Sequence, residues 1–352
     1  MRRLVGSRWM ELPRKVAVGS GVVLELPEIC ADLKLEPRTL IVTGPHTDDV
    51  VGKAIFKMLE DGGFQPETLI TSASKMEEVD RAERLAREIE AGFFIGAGGG
   101  RSIDIAKLAS LRVDIPFLSV PTAASHDGIC SAQASLTING ETASIPAQAP
   151  LAIVADTKII SQAPARLLAA GCGDIISNYT AILDWQLAHR LRNEEYSEYA
   201  SALSGMTARM IVELAPDIRP GLEESAKIVV KALISSGVAM SIAGSSRPAS
   251  GSEHKFAHAM NRIASGRALH GELCGLGTIM MMYLHGGDWE MIRSALGQVG
   301  APTTASQLGL DAEQVIEALI SAHKIRPDRY TILDSGLNSK AAASAAEATG
   351  II

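Results

Sequence analysis

Aromatic residues are scarce. Three Trp, five Tyr and six Phe make up 4% of 352 residues, which leaves few platforms for stacking the bases of a single-stranded nucleic acid. Positive charge is also in deficit: 33 Lys and Arg stand against 40 Asp and Glu, a net charge of −7 with no basic block. Nucleic acids and anionic membranes are therefore poor partners. Cysteine is limited to Cys30, Cys130, Cys172 and Cys274, with neither a CxxC spacing nor the density of a disulfide framework. Reduced thiols in a cytoplasmic protein are the expectation. Long apolar runs are missing too. The longest, Gly275 to Leu284, has about ten residues against the ~20 that span a bilayer. Arg2 and Arg3 lead into the polar stretch Gly6 to Lys15, so no secretory signal is read there. What remains is an ordinary globular balance, 47% hydrophobic and 21% charged, in a chain long enough for two domains.

The first part of the chain alternates strand and helix patterns. Lys15 to Val18 reads as a short strand, followed by a turn into a helix. Thr39 to Thr43 is an apolar, β-branched run ending in Gly44-Pro45, and Asp48 to Leu59 has helical spacing. Thr68 to Ile70 and a charged helix over about 75–90 form a second such unit. Phe93 to Ile95, a loop from Gly96 to Gly100 and a helix from Ser102 to Leu111 form a third. Ile115 to Val120 and Leu151 to Asp156 complete the strands, with a hairpin between them whose Asn139-Gly140 suits a type I′ turn. This alternation predicts a parallel sheet covered on both faces. From about Ile159 strand patterns stop, and helical spacing punctuated by Gly171, Gly221, Gly237, Gly266 and Gly287 takes over. The expected organisation is an α/β nucleotide-binding domain over 1–160 and an all-α domain over 161–352.

Three loops carry chemistry in the first part. Gly96 to Ser102 joins a buried strand to a helix, where glycines let backbone N–H groups approach a phosphate. The pattern is neither the Rossmann fingerprint nor a Walker loop, and it can also be a tight connection. The strand ending at Gly44-Pro45-His46 has no acid at its tip to grip a ribose 2′-hydroxyl, unless Asp48 or Asp49 reaches in. Pro121 to Gly128 follows the fourth strand, where an open α/β sheet binds ligands. Its hydroxyls suit a diphosphate or nicotinamide and Asp127 suits a substrate hydroxyl, although Asp127-Gly128 also reads as a plain turn.

The second part holds three of the chain's eight histidines in one stretch, GSEHKFAHAMNRIASGRALHGELCG. His254 and His258 are one turn apart on a helix for which Ser252 is the expected N-cap, and His270 opens the next helix. Asp174, in GCGD, places a carboxylate among apolar residues. It is either a helix N-cap or a group that needs a cation. One Asp and two His leave an open fourth position, as in a catalytic zinc site. Cys172 and Cys274 lie near these residues but have no partner at a ligand spacing.

As a set, GGGRSIDIAK, PTAASHDG, GCGD, GSEHKFAH and LHGELCG resemble the superfamily of glycerol dehydrogenases, iron-containing alcohol dehydrogenases and dehydroquinate synthases, over about residues 10 to 340. The SHDGICS loop and the spacing of the helical motifs are most similar to its sn-glycerol-1-phosphate dehydrogenases, archaeal enzymes that make the lipid backbone. The resemblance implies a dehydroquinate synthase-like fold with the site between its α/β and helical domains. It implies catalytic zinc on Asp174, His254 and His270. NADH or NADPH would lie on Gly100, Arg101, Ser102, Ile103, Asp104, Thr122, Ala123, Ala124, Ser125 and Ser131. Asp127, Asp174 and His258 would contact a small phosphorylated substrate. The reaction implied is reversible reduction of dihydroxyacetone phosphate to sn-glycerol 1-phosphate, with the metal as Lewis acid. The proton donor would be a metal-linked water relay or His258, and the phosphate donors would come from Lys255, Asn261, Arg262 and Arg267. Cytoplasmic location, no membrane insertion and a homo-oligomer associated through the α/β domain complete the expectation. Dehydroquinate synthase and glycerol dehydrogenase activities are the alternatives on the same scaffold. A nucleotide-binding protein without catalysis has no need for an open metal position.

Overall fold

The computed structural model describes residues 10–138 and 141–352. Its strands are β1 (Lys15–Gly19), β2 (Arg38–Thr43), β3 (Gln65–Ile70), β4 (Phe93–Gly98), β5 (Phe117–Pro121), β6 (Gln133–Ile138), β7 (Glu141–Pro146) and β8 (Ala152–Asp156). Six of them form a parallel sheet in the order β1-β8-β5-β4-β2-β3, while β6 and β7 pair antiparallel as a separate hairpin. The sheet strands bury alternate residues on opposite faces. Leu40, Val42, Phe94 and Phe117 join one cluster, and Ile41, Phe93, Ile95 and Leu118 join the other. Burial on both sides is why these strands read as unbroken apolar runs. The chain leaves β2 toward one edge and β4 toward the other, so a crevice opens at their carboxyl ends, where such sheets bind ligands.

The structure departs from the sequence reading in several places. The expected loop from Gly96 to Gly100 is mostly strand: β4 runs to Gly98 and the next helix, Gly100–Val113, begins two residues later. Gly96 is needed there because a Cβ would lie 2.9 Å from the Cα of Ile103 on that helix. The helix after β2 begins at Pro45, three residues early, and passes through a π-turn at Asp48–Gly52 before the regular turns of Lys53–Asp61. The hairpin is present, but the Asn139-Gly140 turn lies outside the described residues, as do Arg2 and Arg3.

After Asp156 every regular element among the described residues is helical. The helix Glu223–Ala243, not the Gly275–Leu284 run, is the one long and apolar enough to cross a membrane, yet it is mostly buried in the interior. One hydrophobic cluster continues from Leu40 and Phe94 of the sheet through Ile175 to Phe256 and Met281. Three helices of this half, Ala165–Ile176, Ser252–Ile263 and His270–Leu284, approach one another at glycines. A Cβ on Gly271 would lie 1.9 Å from the Ala170 carbonyl oxygen, and one on Gly173 would lie 2.4 Å from the Gly271 carbonyl oxygen. Gly171 sits equally close to the α/β half, 2.1 Å from the Ala124 carbonyl oxygen by the same measure.

The start of Ser252–Ile263 corrects a sequence expectation. Gly251, not Ser252, occupies the N-cap position. Glu253 accepts the Gly251 N–H at 2.6 Å, and Asp184 accepts the Ser252 N–H at 2.6 Å. The Lys255 N–H goes to the Gly251 carbonyl, and the Ser252 hydroxyl is buried without a hydrogen-bond partner. Replacing an N-capping serine by alanine costs about 1 kcal/mol, whereas removing an unpaired buried hydroxyl costs nothing or stabilises. Ser252→Ala should therefore leave urea unfolding unchanged or shift its midpoint upward; a loss near 1 kcal/mol would restore the capping role.

Candidate active site and metal centre

The crevice widens into a cleft of about 840 Å³ between the sheet's carboxyl end and the helical half. That volume lies in the range of cofactor and small-molecule sites. Gly99 to Ser102, Thr122, Ala123, Ser125 and Ser131 line it, together with Gly44, His46 and hairpin residues Ser135 and Ser144. At Gly99 a Cβ would meet nothing within 4 Å, so the backbone at the start of Gly100–Val113 faces open space. At Gly100 a Cβ would strike His126 Nε2 at 2.1 Å. His126 is held over that helix end because its Nδ1 accepts the Gly128 N–H at 3.0 Å. An amide-lined helix start of this kind suits an anionic phosphate.

Two residues expected to touch a dinucleotide do not face the cleft. Ile103 is buried against Gly96, and Ala124 turns its carbonyl to Gly171. Asp104 lines the cleft but its carboxylate is engaged. It accepts Lys107 Nζ and the Ser135 N–H, each at 3.0 Å. The fully buried Lys107 also donates to the carbonyls of Gly128 and Gln133, both at 2.7 Å, which ties the hairpin and the Asp127 loop to the helix. Nothing in the sequence marked Lys107, since a lysine one turn after an aspartate on a helix is ordinarily a surface pair. Neither Asp48 nor Asp49 lines the cleft; Asp49 pairs with Lys53 on the surface. The tip of β2 thus carries no acid.

At the far end, Asp174 from Ala165–Ile176, His254 from Ser252–Ile263, and His270 and Cys274 from His270–Leu284 bring one potential ligand atom each within 4.8 Å of the others. His270 Nε2 is 3.8 Å from Asp174 Oδ1. That is too long for a hydrogen bond but close to the roughly 3.4 Å between donors that share one tetrahedral ion at ~2.1 Å. The His254 and His270 rings stand 4.9 Å apart at 67°. Glu253 accepts from His254 Nδ1 at 2.9 Å and from Thr180 Oγ1 at 2.8 Å. A proton on Nδ1 leaves the Nε2 lone pair free for a cation, the usual outer support of a ligating histidine.

The electrostatics fit the same donor set. Burial, then the charge of neighbouring Asp127, pushes Asp174 up to about 7. Asp127 is raised as well, chiefly by burial; its N–H donates to Asp174 Oδ2 at 2.9 Å and its Oδ2 accepts from Ser236 Oγ at 3.0 Å. Burial and the neighbouring His254 hold His270 well below the ordinary imidazole value and bring His258 down to about 3. His254 is raised instead: burial works against its charge, but Glu253 outweighs it. Two close carboxylates, Asp174 buried and Asp127 half-buried, beside imidazole donors are the arrangement a divalent cation relieves. The Cys274 Sγ is 3.5 Å from His270 Nε2, so a cysteine ligand is geometrically within reach. Burial, then the charge of Asp174, drives that thiol well above its ordinary value, and a protonated thiol is the weakest donor of the four.

The expected phosphate donors are elsewhere. Lys255 Nζ pairs with Asp334 at 2.8 Å and Arg267 donates to the Gly309 carbonyl at 2.6 Å; neither they nor Asn261 and Arg262 line the cleft. The basic side chain that does line it beside His258 and His270 is Arg326, which the sequence reading missed.

Isothermal titration of the metal-free protein with zinc should give one tight site. His270→Ala should weaken it at least ~100-fold, in line with the loss of one ligand of three. His258→Ala should retain it, because the His258 ring stands 5.9 Å from that of His270 and outside the donor cluster. Equal losses in both variants would overturn this division.

With this geometry in place, comparisons with known proteins agree on the family. A family profile described as iron-containing alcohol dehydrogenase matches residues 17–164. A glycerol-1-phosphate dehydrogenase [NAD(P)+] of Methanothrix thermoacetophila is 63% identical over 350 residues, covering 99% of both chains. That of Methanosarcina mazei is 62% identical over 346 residues, covering 98% of this chain and 97% of that one. Among solved structures, glycerol dehydrogenase from Schizosaccharomyces pombe shares the fold with a TM-score of 0.81 at 20% identity, covering 97% of this chain and 90% of that one. A sulfoacetaldehyde reductase from Bifidobacterium kashiwanohense in complex with NAD+ gives 0.77 at 16%, covering 98% and 99%.

Proposed function

The chain belongs to the glycerol-1-phosphate dehydrogenase family, and from that membership and the cleft we infer that it reduces dihydroxyacetone phosphate to sn-glycerol 1-phosphate with NADH or NADPH. The observation that carries this reading is the set of buried Asp174 and half-buried His254 and His270 at one end of a cleft whose other end is a glycine-lined helix start. When bound, zinc at that set supplies Lewis acidity to the ketone oxygen and the nicotinamide supplies the hydride.

The chain's own residues do the rest. The open backbone at Gly99 receives the dinucleotide diphosphate, flanked by Gly100, Arg101, Ser102, Thr122, Ala123, Ser125 and Ser131. Ile103 acts behind that surface by packing, and Asp104, on the cleft wall, holds the hairpin. With no acid at the tip of β2, either nicotinamide cofactor is accepted. Asp127 and His258 hold the substrate over the metal ligands. The low pKa of His258 keeps its imidazole neutral at physiological pH. It therefore orients substrate by hydrogen bonding, and a water relay is the better store of the transferred proton. The product would supply the glycerophosphate backbone of archaeal membrane lipids. Residues 1–160 act as the cofactor domain and 161–352 as the metal and substrate domain of a cytoplasmic homo-oligomer.

Zinc-loaded protein should oxidise NADH or NADPH on addition of dihydroxyacetone phosphate and yield glycerol 1-phosphate in an enantiospecific assay. Turnover confined to glycerol or to a seven-carbon sugar-acid phosphate would refute the reading. Gly99→Ala should unfold at the wild-type temperature, since its Cβ meets nothing. Fluorescence titration should nonetheless show NAD(P)H binding weakened ~10-fold or more, because the methyl group takes the space a phosphate oxygen needs.

A further inference from the structure

Three arginines gather behind the histidine end of the cleft. Arg247 pairs with Glu194 and donates to the Tyr330 carbonyl at 2.9 Å. Arg329 donates to the Ser250 carbonyl at 2.6 Å and to Ser246 Oγ at 2.8 Å. Both are anchored in the wall. Arg326 is not: among the described residues its guanidinium makes no hydrogen bond and no ion pair, and the acid whose charge reaches it, Asp328, is exposed. It lines the cleft with His254, His258, His270, Ser246 and Ser250.

The backbone at Arg326 is unusual in the same direction. Its φ of 45° lies in the left-handed region, directly before Pro327. Four other described non-glycine residues share that region, Lys34, Glu90, Asp114 and Asn193. Each of them closes an α-helix and is exposed to solvent. Arg326 follows only a single 3₁₀ turn and is half-buried at the cleft. Glycine would occupy this conformation without strain, so a long cationic side chain here points to a use for its head group.

The local charge asks for an anion. Arg247 is paired with Glu194, while among the described residues Arg326 and Arg329 make no ion pair, and Asp328 beside them is exposed. Three bonds separate the ketone carbon of a triose phosphate from its phosphorus, so a phosphate anchor must stand within one small molecule of the metal ligands. Arg326 lines the same cleft as His254, His258 and His270, whereas Lys255 and Arg267 are committed elsewhere.

We propose that Arg326 is the phosphate-recognition residue of the cleft, its guanidinium taking the phosphoryl group of the substrate and so selecting a phosphorylated triose over a free one. A planar fork of donors matches two phosphate oxygens at once. The assignment rests on the reading of the cleft as a triose-phosphate reductase, and the test separates the two.

Arg326→Gly relieves the backbone, so its thermal midpoint should equal or exceed that of the wild type, and zinc should still bind. Its kcat/KM for dihydroxyacetone phosphate should fall on the order of 100-fold, mostly through KM, as truncation of a charged partner predicts. The preference for dihydroxyacetone phosphate over dihydroxyacetone should collapse by a similar factor, and Arg326→Lys should recover part of it. A preference kept within about 3-fold of wild type in Arg326→Gly would overturn the assignment. A second readout needs no turnover: with zinc and saturating NADH, inorganic phosphate should raise the thermal midpoint of the wild type but not of Arg326→Gly. Wild-type protein that ignores dihydroxyacetone phosphate yet shows this Arg326-dependent shift would retain the anion site and sink the reductase reading. A phosphate shift that persists in Arg326→Gly would sink the anion site instead.

Discussion

The carboxylate of Asp174 is buried where the two halves of the chain touch, and most of the cleft follows from making that burial tolerable. Its side chain is 3% exposed. It accepts the Asp127 N–H from the loop after β5 and faces the His270 ring from the helical half. An unpaired carboxylate in such a place is expensive, so the chain surrounds it with a donor amide and two imidazoles. Its position is fixed by the backbone on either side. Gly171 lies against the Ala124 carbonyl and Gly173 against that of Gly271, so the same short segment sets the distance to both halves. Movement of one half relative to the other would therefore change the donor geometry directly. The hydrophobic cluster that continues from the sheet into the helical half resists that movement.

Around this point the cleft is graded in charge. The metal end has two carboxylates raised by burial, Asp174 also by the charge of Asp127, beside His258 and His270, which burial and the charge of His254 hold low. The middle is lined by hydroxyls and by backbone at a helix start. The wall beside His258 carries the unanchored arginine. A ligand with a polarisable carbonyl, a hydroxyl and a phosphate matches that sequence of environments, and none of it follows from the overall charge of −7. Glu253 shows how far the chemistry extends behind the surface. It is fully buried, yet hydrogen bonding and the charge of His254 outweigh burial and keep it ionised, which in turn fixes which nitrogen of His254 is protonated.

The sequence was most legible where one property is periodic. Strands buried on both faces gave continuous apolar runs, and the parallel sheet with a helical remainder followed. His254 and His258, one turn apart, lie on one helix face that reaches the cleft. Position between elements was less legible. Ser252 looked like a cap, but it is the first helical residue: Gly251 holds the N-cap position, and Asp184, distant in the chain, takes the Ser252 N–H. Lys255 was attractive because it adjoins His254, although neighbouring residues on a helix point some 100° apart. It turns to Asp334, and the basic residue beside the cleft histidines, Arg326, comes from a later segment that neither periodicity nor motif singles out. Lys107 and Asp104 likewise gave no warning that their pairing is internal and carries the hairpin.

Glycine composition, read as punctuation, concealed three separate physical demands. At Gly96 and Gly271 a methyl group would strike backbone that cannot withdraw, so these positions bear on folding and on where His270 stands. At Gly100 and Gly128 the obstruction would be the His126 ring, a side chain held by a hydrogen bond, so the demand concerns the shape of one loop. At Gly99 there is no obstruction within 4 Å, and what glycine preserves is empty space beside a helix start. Steric necessity within the protein cannot account for that last residue, whereas access for a ligand can. The distinction separates residues that build the cleft from residues that leave it open, and it requires knowing what lies opposite each glycine, which a linear sequence does not display.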